Sequence, residues 1–268
     1  MALPSQAKPS TSALKAMPGA GKFLHRMLLV RLALRALSMN AELFARVMLG
    51  WIPDPKQAAV LLTGARTVVM NCSRQWGKTM VAATKMLHLA LTRPGSVCVI
   101  VAENLGQTDE VFLKIDQFLA RLGIPAERGT GKVARVLPNG SRILGIAARE
   151  AGVRGYTADF VFVDEAARLD DEAIDALLPL TAIRNGDWWM SSTPWGRRGR
   201  FYEAWAYEDD GALKVSATWK ENPRLPEGFI ERVRRLKGDT FVEQEFECQF
   251  VENGRFLVNQ DHVDGIME

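Results

Sequence analysis

The chain has 268 residues, is 47% hydrophobic and 24% charged, and sets 34 Lys plus Arg against 31 Asp plus Glu, a net charge of +3. That composition belongs to a globular protein with room for one large domain or two small ones, and it excludes a disordered or fibrous chain. The basic excess is too small to specify a nucleic-acid partner by itself. Cys72, Cys98 and Cys248 stand far apart with no C-x-x-C pair, so neither a disulfide framework nor a zinc site is indicated, and a reducing cytoplasm fits.

In chain order, residues 1–22 are rich in Pro, Ser, Ala and Gly and read as a flexible tail. Residues 23–50 form a basic amphipathic helical segment, with Phe23, Met27, Leu28, Val30, Leu34 and Leu37 at helical spacing. Its arginines interrupt every apolar run before the roughly 20 residues a membrane span needs. Packing on its own domain explains it better than a presequence or a membrane-surface helix. The Pro53-Asp54-Pro55 cluster is expected to end this helix.

Residues 51–218 then alternate between two periods. Thr67–Asn71, Val97–Ala102, Phe160–Asp164, Trp188–Ser191 and Lys214–Thr218 read as strands, and Lys78–Leu91, Gln107–Leu122, Asp171–Leu180 and Gly199–Tyr207 as helices. Val133–Leu137 and Arg142–Ile146, joined through Pro138-Asn139-Gly140, predict a hairpin at a sheet edge. Such alternation predicts an α/β domain with a mostly parallel sheet flanked by helices. Residues 219–268 read as a small helical lobe or linker whose Phe229, Val233, Leu236, Phe241 and Phe246 can pack back on the main domain.

The strongest motif is Cys72-Ser73-Arg74-Gln75-Trp76-Gly77-Lys78-Thr79, between a predicted strand and a predicted helix. Backbone N–H groups at a helix N-terminus attract phosphate oxygens, Lys78 adds a point charge, and the Thr79 hydroxyl can hold Mg²⁺. Cys72 stands where the usual phosphate loop begins with Gly. The second motif, Phe160-Val161-Phe162-Val163-Asp164-Glu165, is an apolar strand ending in two carboxylates, which suits metal binding by Asp164 and water polarisation by Glu165. Third, Ser191, Ser192 and Thr193 follow an apolar strand and are placed to sense a γ-phosphate. Gln57 carries an amide able to read an adenine edge. Arg154, flanked by Gly152, Val153 and Gly155, suits insertion into a neighbouring subunit's phosphate site.

This ordered set resembles the ATPase part of a large terminase subunit, the motor that packages double-stranded DNA in tailed phages and related viruses. The resemblance covers roughly residues 50 to 255. It rests on the Cys-Ser-Arg-Gln-x-Gly-Lys-Thr loop, on Val163-Asp164-Glu165-Ala166-Ala167, on Ser191-Ser192-Thr193-Pro194 followed by Trp195-Gly196, and on Glu221-Asn222-Pro223. It implies a P-loop NTPase fold of the ASCE type, with ATP and Mg²⁺ as cofactors. It further implies Lys78 and Thr79 on phosphate and metal, Asp164 on Mg²⁺, Glu165 as the base, and Ser191 to Thr193 as a coupling motif. Arg74 becomes a phosphate-loop arginine acting in cis, Arg154 a finger acting in trans, and Gln57 the adenine-side glutamine. Implied partners are double-stranded DNA, portal protein, a small terminase subunit and further copies of the chain in a ring, in the host cytoplasm with no membrane.

Family members normally continue into a nuclease domain, whereas 18 residues follow Phe250, so no nuclease activity is expected. Arg197, Arg198 and Arg200, and Arg232, Arg234, Arg235 and Lys237, are candidate DNA-phosphate contacts. Two other readings use the same motifs. A helicase-like DNA-dependent ATPase needs a second motor domain, and a non-hydrolysing nucleotide-binding assembly module has no use for Glu165.

Overall fold

The computed structural model describes residues 31, 39–128, 134–148, 157–207 and 211–252. A short helix, α1 (Ala41–Phe44), runs on into a π-helical turn over Ala45–Leu49. Asn40 caps it by accepting the Leu43 amide at 2.8 Å, and Gly50, at φ 70°, stops it in the left-handed region that favours glycine. Met39 and Asn40 are not helical, and the expected tail over residues 1–22 and the apolar positions Phe23, Met27, Leu28, Val30, Leu34 and Leu37 lie outside the described residues. The Pro-Asp-Pro cluster opens a helix instead of ending one: α2 (Pro55–Leu62) has Asp54 as N-cap, Pro55 at its first position and a reciprocal capping box closed by Gln57.

The alternating segment follows as β1 (Thr67–Cys72), α3 (Lys78–Thr92), β2 (Val97–Ala102), α4 (Leu105–Leu122), β3 (Glu127–Arg128), β4 (Ala134–Val136), β5 (Arg142–Ala147) and β6 (Phe160–Asp164). Next come α5 (Asp171–Asp175), α6 (Pro179–Ala182), β7 (Asp187–Ser192), α7 (Gly199–Ala206) and β8 (Leu213–Ala217). The chain then turns into α8 (Phe229–Lys237) and α9 (Asp239–Glu245). The single helix expected over Asp171–Leu180 is two short ones, because Pro179 cannot donate into a continuing helix and starts a new one.

Among the described residues, eight strands form one sheet in the order β3-β4-β5-β2-β6-β7-β1-β8. β5, β2, β6, β7, β1 and β8 pair in parallel, while β3 and β4 add antiparallel at one edge. This is the mostly parallel, helix-flanked α/β sheet expected of a P-loop NTPase. The predicted hairpin is β4–β5, but β5 pairs on its other side with β2, and β3 lies outside β4 at that edge.

Alternation along each strand builds a core on both faces. Val68, Met70, Cys98, Ile100, Phe160 and Phe162 face one core, shared with α1 to α4. Val69, Val97, Val99, Val101, Val161 and Val163 face the other, with residues of α5 to α7. Each such fully buried large side chain contributes about 1.5–3 kcal/mol. A third cluster joins Ile230, Val242 and Phe246, with Trp219, Phe229 and Phe241 against it, and gives α8 and α9 a small core of their own.

One topological fact positions the site. β7 lies between β1 and β6, so the carboxyl end of β7 separates the loop after β1 from the acids that end β6. All three strands are parallel, and their carboxyl ends emerge at the same edge, where ligands bind in open α/β sheets.

Candidate functional site

The loop from Ser73 to Gly77 turns β1 into α3. Gln75 and Gly77 adopt left-handed backbone, at φ 60° and 107°. A Cβ at Gly77 would lie 2.8 Å from the Gln57 amide nitrogen, so glycine is demanded there by conformation and by contact. Lys78, almost fully buried, donates to the Cys72 carbonyl at 3.1 Å and lies 3.7 Å from Glu165 Oε1. Cys72 itself points into the core with its thiol against the Val215 carbonyl, and burial pushes that thiol far above its ordinary range. It is inert at physiological pH, and only its backbone belongs to the loop. Trp76 likewise sinks its side chain into the core.

On the facing strand end, Asp164 Oδ1 accepts from Ser191 Oγ at 2.8 Å and from the Glu165 amide at 3.1 Å. Burial, and then the neighbouring Glu165, push its carboxyl up to about 6 against the opposing pull of Lys78 and Ser191. Glu165 adopts left-handed backbone at φ 48°, which turns its side chain toward Lys78. Ser192 Oγ donates to Glu165 Oε2 at 3.3 Å. A cavity of about 690 Å³ opens between the loop and the acids, lined by Arg74, Gln75, Lys78, Thr79, Asp164 and Glu165. Gln107, Glu110 and Lys114 line it from α4, on one face at helical spacing, and Arg224 lines it from the far side.

The structure thus brings Arg74, Lys78, Thr79, Asp164 and Glu165 around one cavity. Several expected site residues lie off the cavity wall. Gln57 is buried, its Oε1 accepting from the Asp54 amide at 2.9 Å and its Nε2 donating to the Trp76 carbonyl at 2.7 Å. Both ends of its amide are engaged within the chain, and it braces the loop. Ser191, Ser192 and Thr193 are fully buried and do not line the cavity. Their hydroxyls hold the carboxylates of Asp164, Glu165 and Glu245, so contact with a phosphate would be indirect. Ser73 is also fully buried, its amide donating to Ala217 at 2.8 Å. Arg154 lies outside the described residues. Among the basic candidates, Arg200 is engaged by Asp175 and Glu203, whereas Arg232 and Arg235 on α8 are exposed.

Sequence reasoning gave no role to four contributors. Arg224 donates to the Gln75 and Trp76 carbonyls at 2.9 Å, and Asn222 Nδ2 donates to Gln75 at 3.1 Å, so the Glu-Asn-Pro segment clamps the loop from outside. Arg168, half-buried, and Glu245, buried, form a pair at 2.8 Å beside Arg74. Of the four, Asn222 alone lies in a motif visible in the sequence, and nothing local in that motif assigns it to the loop.

The family model for the terminase large subunit, T4likevirus-type, N-terminal matches residues 69–261, most of the chain. The chain belongs to the large terminase subunit family. A large terminase subunit of Escherichia phage T5 is 31% identical over 195 residues, which cover 69% of this chain and 44% of that protein. The chain spans about half the length of the curated relatives it matches. Among solved structures, the ATPase domain of the Thermus phage P74-26 large terminase superposes with a TM-score of 0.68 at 23% identity, covering 77% of this chain and 97% of that one. The large terminase of another thermophilic bacteriophage, solved in complex with ADP, gives 0.66 at 16% identity, covering 74% and 54%. At these identities the superpositions show the fold that large terminases use for their ATPase domains. Among the described residues, no helix is long and apolar enough to cross a membrane.

Proposed function

We propose that this terminase chain is the ATP-hydrolysing part of a phage DNA-packaging motor and that its turnover drives translocation of double-stranded DNA. The observation that carries the reading is the facing pair across the cavity: Lys78 at the start of α3, 3.7 Å from Glu165, with Asp164 beside it at the end of β6. The thermophilic bacteriophage terminase solved with ADP, which shares this fold, has also been solved with ATP-gamma-S, and this supports a nucleotide in the cavity.

In this reading the amides at the start of α3 and the Lys78 ammonium take the β- and γ-phosphates. The donor set suits Mg²⁺: a hydroxyl and one carboxylate, hard oxygen ligands that such an ion completes with phosphate oxygens and water. Among the described residues no group of three or more His, Cys, Asp and Glu forms a cage of its own, which agrees with an ion shared with substrate. Thr79 and Asp164 would hold it, and when bound it neutralises charge developing on the transferred phosphoryl group. Glu165, held by Ser192 and approached by Arg168 at 3.5 Å, orients the attacking water. Ser191 and Thr193 tie the two ends of the site to β7, so loss of the γ-phosphate is felt along that strand. Arg74 acts in cis, and Arg154 completes the site of a neighbouring copy in a ring. The same reading supplies portal protein and a small terminase subunit as partners, in the host cytoplasm.

ATP turnover measured against protein concentration, with and without double-stranded DNA, tests this for the native chain and for Arg154→Ala. Turnover per subunit should rise with concentration and with DNA and collapse in the variant. A rate flat in concentration and indifferent to Arg154→Ala overturns the ring and the trans arginine.

A further inference from the structure

Trp195 follows the buried hydroxyl residues at the end of β7, yet its own ring is 38% exposed. Gly196 comes next, in left-handed backbone at φ 75°, and the chain turns there with the indole left outside the core. The ring has a partner in the Arg168 guanidinium, which lies over its face 4.4 Å from the centroid.

Arg168 closes the 3₁₀ turn Ala166–Arg168, its amide donating to the Glu165 carbonyl at 2.9 Å. Side chains three apart overlie one another in such a turn, and here only two alanines separate the acid from the base. The guanidinium Nε accordingly lies 3.5 Å from Glu165 Oε2. Its Nη2 donates to Glu245 Oε1 at 2.8 Å and to Thr193 Oγ1 at 3.5 Å. Glu245 is itself buried, with Arg74 and Thr193 on its other oxygen. Arg168 is therefore fixed by an aromatic face, a buried carboxylate and a hydroxyl beyond β7, and its remaining contact is Glu165.

Glu165 depends on that contact. Its side chain is 33% exposed, with Ser192 at 3.3 Å and Arg168 at 3.5 Å on Oε2 and Lys78 at 3.7 Å on Oε1. None of the three is a tight bond, so the orientation of the carboxylate rests on all of them together. In the nucleotide reading Lys78 turns its charge to phosphate, which leaves Oε2 as the anchored end.

We infer that Arg168, braced on the Trp195 ring, is a positioning residue for Glu165: it holds Oε2 so that Oε1 faces the cavity and its water. The inference rests on the nucleotide reading above and deepens it, because Arg168 and Trp195 both lie off the cavity wall and still act on turnover. A guanidinium suits the task, since its flat face stacks on a ring while its edge donates to two carboxylates, a combination that an ammonium cannot make.

The test is turnover at saturating ATP, together with equilibrium binding of a fluorescent ATP analogue with Mg²⁺, for Arg168→Gln at the protein and DNA concentrations where the wild type is fastest. Glutamine leaves Glu245 with Arg74, Thr193 and Gln244, so no buried carboxylate is orphaned. The kcat should fall about tenfold, since a misplaced group costs up to about 10²-fold and Ser192 still holds Oε2. The Kd should stay within about twofold of wild type. In a Glu165→Gln background the same replacement should change turnover by less than about twofold, because the residue through which it acts is gone. An unchanged kcat, a Kd that weakens as much as kcat falls, or a loss of the same size in the Glu165→Gln background overturns the inference. A wild type that neither binds nor turns over ATP overturns the nucleotide reading, and the inference with it. Should Arg168→Gln not fold, the partly exposed Trp195 decides. Trp195→Leu should lower kcat about threefold, and Trp195→Phe, which keeps a ring face, should restore most of it. No loss in Trp195→Leu, or an equal loss in both, overturns the inference.

Discussion

Replacing Asp164 by asparagine should stabilise the nucleotide-free protein while removing its turnover. Asparagine retains an Oδ1 for Ser191 and for the Glu165 amide, so the geometry at the end of β6 survives. What disappears is a charge that the folded state holds at a cost, since the Asp164 carboxyl is pushed from 3.8 to about 6, first by burial and then by Glu165. A shift of that size corresponds to about 3 kcal/mol. Asp164 is partly exposed at the cavity wall, and solvent screening brings the figure to about 1–2 kcal/mol. The folded protein binds this proton more tightly than the unfolded chain does. Wild-type stability therefore falls as pH rises through the interval from 3.8 to about 6, and it carries the full penalty above that interval. Thermal melting without nucleotide or Mg²⁺ should place the Tm of Asp164→Asn about 2–8 °C above wild type at pH 8. The gap should close below the unfolded-chain value of 3.8. Adding Mg²⁺ and ATP-gamma-S should raise the Tm of the wild type and leave the variant behind. A variant that melts at or below wild type at every pH, or above it by a constant amount, would refute the reasoning.

Three other substitutions have definite outcomes. Glu165→Gln should keep binding of a fluorescent ATP analogue while turnover drops by about 10²–10⁴-fold, the usual worth of a positioned base; turnover near wild type would remove Glu165 from that role. Gln57→Ala deletes the bonds to the Asp54 amide and the Trp76 carbonyl and should cost about 1–3 kcal/mol in denaturant titration. Its KM for ATP should rise more than its kcat falls, and the opposite split would contradict a bracing role. At Gly186 a Cβ would lie 2.5 Å from the Ala158 carbonyl oxygen and 2.8 Å from Asp159 backbone atoms, so Gly186→Ala should destabilise by about 1–3 kcal/mol. Turnover per folded molecule should not change, because the contact lies outside the cavity.

The phosphate loop and the acid strand were legible because each is a local pattern with its own physical cause. Phe160–Asp164 is an apolar run capped by charge, and Cys72 to Thr79 is a turn that opens a helix. The α2 helix was legible too, since Asp54, Pro55 and Gln57 spell a capped helix start. Pro53 and Pro55 also match the pattern of a helix breaker, and the two patterns cannot be told apart without the Asp54 and Gln57 hydrogen bonds. Glu245 was out of reach for a different reason. No local pattern marks it for burial, and its partner Arg74 lies 171 positions away. Likewise, the hydroxyls of Ser191 and Thr193 could be assigned to the right strand end, but not to carboxylates instead of phosphate, because that depends on β7 running between β1 and β6.

Of the non-glycine residues with left-handed backbone, Gln75, Glu165 and Cys248 gather about this one region, the last with its thiol on the Ala217 carbonyl at 3.2 Å. Each such residue costs on the order of 1 kcal/mol that glycine or asparagine would largely recover. A search for thermostable variants by propensity alone would therefore rank Gln75→Gly and Glu165→Asn among its first choices. Selection for heat resistance and selection for turnover pull on the same few torsion angles, and a hardened version of this protein is best sought in the helices and loops far from the carboxyl ends of β1 and β6.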